Sequence, residues 1–550
     1  KFHLGNIYSI SRIWIWPSNE ERNSLNKVTY KSKFMKFYRP LLVLLGLAIS
    51  PISSAKVIQI LHTNDLHSYF EGTRGGIGGY AQLKKVVDEL KADGQKKGIP
   101  TLYLDGGDFG EGSSYYFSNH GVDSMKALDW LGVDYTVLGN HDYILGTKEL
   151  KSQIKKSKIK AKILSSNIMG KSLMGLSKLV PDYADHEVDG LKIRVFGLTT
   201  NEIHHMYPLR PLGFVTNPHK AGIKQATKAK KDNIDFTIAL THIGLEYDIK
   251  LVEKTRTIDL VVGGHSHILL PRPQLTKNLE GRLIPILQAG AHSGYIGSMI
   301  VDIKGRGEAE LIDYKMIHIK KEMPQDRGMK EFVANAYSNR EKYFGRSWNE
   351  VIGFSNIDLT GNINGKDSPS GSCWSRHMAR LTRKVAKTDL GLQFDVFQGE
   401  QISSGHITFG DMIDNFPHFR KWGDKGWSVA RSKMSGFLLK QILKLLANSE
   451  VALQVMIDGI SVKDKVTGET KFFNPRLHDI SEALINGEEL QNLRYYTVGL
   501  PSEVPYGMLK LLNVLTTVLM HDLRLVKNSD YWNLLETYIK TNSPINCLEN

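Results

Sequence analysis

The sequence predicts an α/β fold built from more than one unit, and three observations carry that reading. The chain has 550 residues, whereas a single hydrophobic core rarely grows past roughly 250–300 residues. From Lys56 onward, short apolar runs alternate with amphipathic stretches, as strands and helices do in succession. From Asn349 the apolar period changes, and a second α/β unit begins there.

Val57–Leu61 reads as a buried strand and Tyr80–Leu90 carries apolar residues at helical spacing. Thr101–Leu104, Tyr135–Leu138, Lys162–Leu164, Ile193–Leu198, Phe236–Leu240 and Leu260–Val262 read as further strands. Helices are expected near Ser124–Leu131, Lys148–Lys158 and Ala221–Lys231. Ile284–Gln288, Ile296–Ile303 and Leu311–Ile317 follow as strands without intervening helices, a β-rich finish. Pro324–Tyr343 is charged with a helical pattern, suited to a connector, and Gly436–Leu446 reads as an amphipathic helix. The Lys-rich stretches Lys148–Lys162 and Lys220–Lys231 read as solvated helix faces.

The chain opens on Lys rather than Met. Met35, Lys36 and Arg39 precede the apolar run Leu41–Ile49, which ends in Ser53-Ser54-Ala55. A basic head, a short apolar core and a small-residue end describe a secretory signal peptide, too short for a spanning helix. The expected division is therefore an upstream extension at 1–34, a signal peptide at 35–55 and a mature protein from Lys56, secreted or periplasmic. The formal charge is +14, of which residues 1–34 hold +4 and 35–55 hold +2, leaving +8 on the remaining 495 residues. That is weak support for nucleic-acid binding, and no nucleic-acid partner is expected. Hydrophobic residues make up 41 % and charged residues 23 %, which excludes a polytopic membrane protein and a wholly disordered chain. The two cysteines, Cys373 and Cys547, exclude a disulfide-stapled mini-domain and a Cys-based zinc ribbon; export would let them pair.

Five polar motifs each follow a strand. They are Asp65-Leu66-His67, Gly106-Gly107-Asp108, Gly139-Asn140-His141-Asp142, Thr241-His242 and Gly263-Gly264-His265-Ser266-His267. Ligand sites of α/β sheets collect beyond the carboxyl ends of strands, so these motifs can converge. Imidazole and carboxylate without thiolate suit zinc, manganese, iron or similar divalent ions and argue against a structural zinc site. Gly75-Gly76-Ile77-Gly78-Gly79 lacks the Lys and spacing of a phosphate loop. His204-His205 reads as an exposed loop pair.

The ordered set resembles the calcineurin-like metallophosphoesterase superfamily. Ile60-Leu61-His62-Thr63-Asn64-Asp65-Leu66-His67-Ser68 with Gly106-Gly107-Asp108 is similar to its exported 5′-nucleotidase branch. The resemblance implies a four-layer αββα catalytic domain at 56–322, a connecting helix at 323–347 and a smaller α/β substrate-binding domain at 348–550. It implies two divalent ions, Zn, Mn, Co or Fe. Asp65, His67, Asp108 and His267 would hold one ion, and Asp108, Asn140, His242 and His265 the other, with Asp108 bridging. Such a pair activates water for attack on phosphorus, while His141 stabilises the transition state. The implied substrate is a small phosphate ester, a nucleotide: a nucleoside 5′-monophosphate, a 2′,3′-cyclic nucleotide or a nucleotide sugar. A nucleotide-binding protein with weakened catalysis is the second class. No stable membrane insertion is expected after signal cleavage.

Two departures bear on catalysis. Relatives place an Asp three residues beyond the catalytic His to orient it; here Ile144 stands there, so Asp142 or another group must serve. Asp142 is therefore taken with His141 as catalytic. Gly399 stands where relatives carry a substrate-gripping Arg. Phe472, Phe473 and Tyr506 are the aromatics available for a base, but no substrate-binding residue is assigned.

Overall fold

Strand residues of the first half alternate between two buried environments, and that alternation builds the layers. The computed structural model describes residues 56–201, 214–359, 373–394, 398–418, 426–448, 455–463, 470–472, 483–502 and 520–547. The expected extension at 1–34 and signal peptide at 35–55, His204-His205, Phe473 and Tyr506 lie outside the described residues.

One six-stranded sheet runs Glu308–His318, Tyr295–Gly305, Lys56–Thr63, Thr101–Asp105, Tyr135–Val137, Lys162–Leu164 in spatial order. The last four are mutually parallel, and Tyr295–Gly305 pairs antiparallel with Lys56–Thr63, Ile60 opposite Met299. A second six-stranded sheet runs Gln274–Lys277, Leu283–Leu287, Leu260–Val262, Phe236–His242, Leu191–Thr199, Tyr183–Val188. Its four central strands are parallel.

Ile58, Ile60, Leu102, Leu104 and Val137 of the first sheet share one buried core with Ile193, Val195, Ile238, Leu240 and Val262 of the second. Their neighbours Leu61 and Tyr103 point the other way, onto Leu83, Val87, Leu128, Leu131, Leu150 and Ile154 of helices Tyr80–Lys96, Val122–Leu131 and Thr147–Ser157. On the far side Phe196, Leu198, Ala239 and Val261 meet Ala226 of helix Pro218–Lys231 and Leu251 and Val252 of helix Leu245–Glu253. The result is the four-layer αββα order expected. Edge strands Tyr183–Val188 and Gln274–Lys277 were not expected from the sequence. Each is polar and largely outside the core, so neither shows the apolar run that marks a two-sided strand.

Helix Arg327–Phe344 is capped by Asp326, whose carboxylate accepts from Met329 N–H at 2.7 Å. It leads to a five-stranded sheet in the order Val455–Asp458, Leu390–Phe394, Tyr495–Pro501, Ser428–Ser435, Met520–Asp530, with helix Cys373–Ala386 beside it. Cys373 and Cys547 form a disulfide, their Cα atoms 5.4 Å apart, within the normal range. An apolar cluster of Trp348, Phe409, Trp427 and Trp532 takes in Tyr116, Phe117, Ile144 and Leu145 from the first half. Ile144 is thus a packing residue between the two halves. Among the described residues no helix is long and apolar enough to cross a membrane.

Leu104 is fully buried between the two large sheets. Leu104→Ala should cost about 2–5 kcal/mol, read as a lowered denaturation midpoint. An unchanged midpoint would mean that the sheets do not pack through this core.

Candidate metal centre

Loops leaving the carboxyl ends of the strands meet at one point, and the chain there adopts conformations that side chains seldom choose. Asp65, His67, Ser68, Asp108, His265, His267 and His292 all have φ between 48° and 79°, the left-handed region disfavoured for residues with a Cβ. Such strain gathers where a site requires it. Gly139 marks a close approach at the centre: a Cβ there would lie 1.9 Å from Asp108 Oδ1.

Asp108 stands at the middle. Its Oδ2 lies 3.0 Å from His242 Nε2 on one side and 3.8 Å from His67 Nε2 on the other. His67 Nε2 is 3.1 Å from His267 Nε2, which is 3.3 Å from Asp65 Oδ1. His265 completes a group with Asp108 and His242 whose ligand atoms lie within 4.8 Å of one another. Asp65 accepts from His265 N–H at 3.0 Å. The structure therefore brings together Asp65, His67, Asp108, His242, His265 and His267. Asn140, which precedes His141 in the chain, is 4 % exposed and its Oδ1 has no hydrogen-bond partner.

The histidine tautomers suit a cation. His67 Nδ1 faces the Glu111 carbonyl at 2.6 Å and His242 Nδ1 the Gly106 carbonyl at 2.7 Å. A carbonyl only accepts, so each Nδ1–H donates and each Nε2 turns inward. Burial would raise the Asp65 carboxyl, but His267 and His242 outweigh it and hold it at about 2. Burial likewise opposes ionisation of Asp108, and His242 and His141 overcome it. Two ionised carboxylates, inward imidazoles and an orphaned buried amide oxygen fit divalent cations.

His141 is held by a residue that the sequence reading did not single out. Its Nδ1 pairs with the Glu111 carboxylate, which is almost fully buried, while its backbone N–H donates to Asp108 Oδ1 at 2.8 Å. Burial would depress this imidazole; Asp108 and then Glu111 outweigh it and push it up to about 9. His141 also stands within 4.8 Å of His67 and Asp108 ligand atoms.

Asp142, expected as catalytic, is engaged elsewhere. It accepts from the backbone N–H groups of Asp108, Gly110 and Gly139 at 3.0, 2.8 and 2.8 Å. It ties the two loops together, and Glu111 rather than Asp142 pairs with the His141 ring. The sequence signal for Glu111 was slight: a lone acid between two glycines, three residues past Asp108. His292, also missed, follows the strand Leu283–Leu287 in the loop Gln288–Ser293. The strand-end rule that found the other motifs would have found it too.

Residues 58–269 match the calcineurin-like phosphoesterase family; the chain carries a calcineurin-like phosphoesterase domain. Within that class it is similar to the mouse 5′-nucleotidase, 28 % identical over 313 residues, 51 % of this chain and 52 % of that protein. The chain spans about half the length of the curated relatives it matches. Among solved structures it is similar in fold to a 5′-nucleotidase precursor from Thermus thermophilus, with a TM-score of 0.71 and 20 % identity over 90 % of this chain and 98 % of that one. It is also similar to the Haemophilus influenzae NAD nucleotidase, with a TM-score of 0.54 and 21 % identity over the same shares.

Glu111→Gln removes the charge beside His141 while keeping the backbone carbonyl that holds His67. In the metal-free protein the His141 titration midpoint, followed by NMR, should fall from about 9 toward the ordinary imidazole range. The imidazolium would then be lost at lower pH than in the wild type. An unchanged midpoint would contradict the pairing.

Proposed function

We propose that this protein is a metal-dependent phosphoester hydrolase acting on nucleotides, with Asp65, His67, Asp108, Asn140, His242, His265 and His267 holding a pair of divalent ions. The observation that carries the reading is the position of Asp108, its carboxylate flanked by His242 on one side and His67 on the other. Bound cations would polarise the phosphoryl group and activate water.

The chain's own residues supply the rest. Glu111 holds the His141 ring by Nδ1, leaving Nε2 to face the substrate. Asp108 and Glu111 favour the protonated ring, and a protonated His141 would stabilise charge on phosphoryl oxygens and could pass the proton to the leaving oxygen. The Asp142 clamp fixes the Asp108 loop against the Asn140 loop. A cavity of about 300 Å³ adjoins the centre through Tyr69 and Gly112 and is further lined by Arg74, Tyr115, Arg340 and Trp348, a volume at the small end of ligand pockets. Gly399 has no room for a side chain: a Cβ would lie 2.4 Å from the Asp414 carbonyl. An Arg cannot be accommodated there, so substrate grip must come from other residues.

In this proposal 56–322 is catalytic, 323–347 connects, and 348–550 binds substrate. The disulfide supports an oxidising compartment and so export.

With manganese, zinc or cobalt, purified protein should hydrolyse nucleotides from a panel of 5′-monophosphates, 2′,3′-cyclic nucleotides, UDP-sugars and NAD. His141→Ala should lower kcat by about 10²–10⁴-fold with metal content unchanged. Absence of turnover with every ion would favour the nucleotide-binding reading, and metal loss in His141→Ala would make His141 a ligand.

A further inference from the structure

We infer that His292 is a further protein ligand of the cation held by Asp65, His67 and His267, making that half of the centre a three-imidazole site. The inference rests on the two-metal reading above and adds a residue to it.

His67, His267 and His292 each offer a ring nitrogen, and the three lie within 4.8 Å of one another. The His292 ring meets the other two edge-on, with centroids 5.7 Å from His67 and 5.6 Å from His267 and interplanar angles of 67° and 78°. Rings splayed in this way can direct nitrogens toward a shared point, which parallel stacking would not allow.

The loop that carries His292 is built into the metal loop. His292 N–H donates to the Asp65 carbonyl at 2.8 Å. Asn64 spans the same two loops: its Nδ2 donates to the Gly290 carbonyl and to Asp65 Oδ2, both at 2.6 Å, and its Oδ1 accepts from Ala289 N–H at 2.6 Å. Ser293 Oγ donates to the Gly78 carbonyl at 3.2 Å. The backbone of His292 is left-handed, φ 58°, and Tyr69 stacks on its ring at 4.1 Å and 25°. A ring clamped by a stacked tyrosine, on a backbone tied to a neighbouring ligand, is preorganised for coordination.

The two halves of the centre would then differ. Three imidazoles beside the carboxylates favour zinc, cobalt, nickel or iron over magnesium or manganese. The other half has two imidazoles, His242 and His265, with the Asn140 amide oxygen, and is the more tolerant of oxygen-preferring ions.

The test is equilibrium dialysis of metal-free protein against graded free Zn²⁺ and Co²⁺, with bound metal counted by mass spectrometry. The variant is His292→Phe, which keeps a ring for Tyr69 but cannot ligate; His292→Asn, which tolerates the left-handed backbone, is run beside it. Wild type should bind two ions. Both variants should keep one at wild-type affinity and hold the other at least about 10-fold more weakly. Two ions at wild-type affinity in folded His292→Phe would overturn the assignment, and so would unchanged metal binding with a raised KM, which makes His292 a substrate contact. Wild type that binds two ions but hydrolyses nothing would overturn the proposed activity and leave the ligand assignment standing.

Discussion

The Asp108 carboxylate is the point on which the rest of the structure depends. It is buried at the end of one strand, faces histidines from two other loops, and accepts the backbone N–H of His141. A buried carboxylate without partners is costly; here imidazoles on both sides keep it ionised. The left-handed backbones at Asp65, His67, Asp108, His265 and His267 are the conformational cost of aiming five side chains at one place. Each costs of order 1–3 kcal/mol, which the layered core and the loop-to-loop hydrogen bonds must offset.

The surroundings divide their tasks. Asp142 binds backbone amides and holds two loops in register, while Glu111, from the loop it steadies, pairs with His141. The position that orients the histidine in relatives is occupied by Ile144, buried with Tyr116, Phe117 and Trp348. An acid on a glycine-flanked loop thus takes over a role that the sequence had placed three residues beyond the histidine. The same loop reaches the second half of the protein, where Ser114 Oγ donates to Asp414 at 2.6 Å and Arg340 donates to Ser114 at 3.0 Å. The loop that carries the centre is therefore anchored to both halves.

Much of this was legible in the sequence because the two governing signals are local. Parallel strands buried on both faces read as apolar runs, and Leu102-Tyr103-Leu104 or Ile238-Ala239-Leu240 could hardly be anything else. Polar residues directly after such runs marked the ligand loops. The signal fails where contacts cross the chain. Edge strand Tyr183–Val188 has a neighbour on one side and alternates weakly. Glu111 gains meaning only from His141, 30 residues on. His292 sits more than 220 residues from the loop to which Asn64 binds it; it follows a strand as the other motifs do, but it lies several residues into the loop with no second ligand type beside it. Ile144 was visible as a departure, but its replacement is a matter of packing that no local pattern encodes.

The most direct measurement is anomalous diffraction from crystals of the protein soaked in zinc or manganese. The account predicts two peaks roughly 3.5–4 Å apart, one on either side of the Asp108 carboxylate, with Asn140, His242 and His265 around one and Asp65, His67 and His267 around the other. A single peak, or none at Asp108, would contradict it.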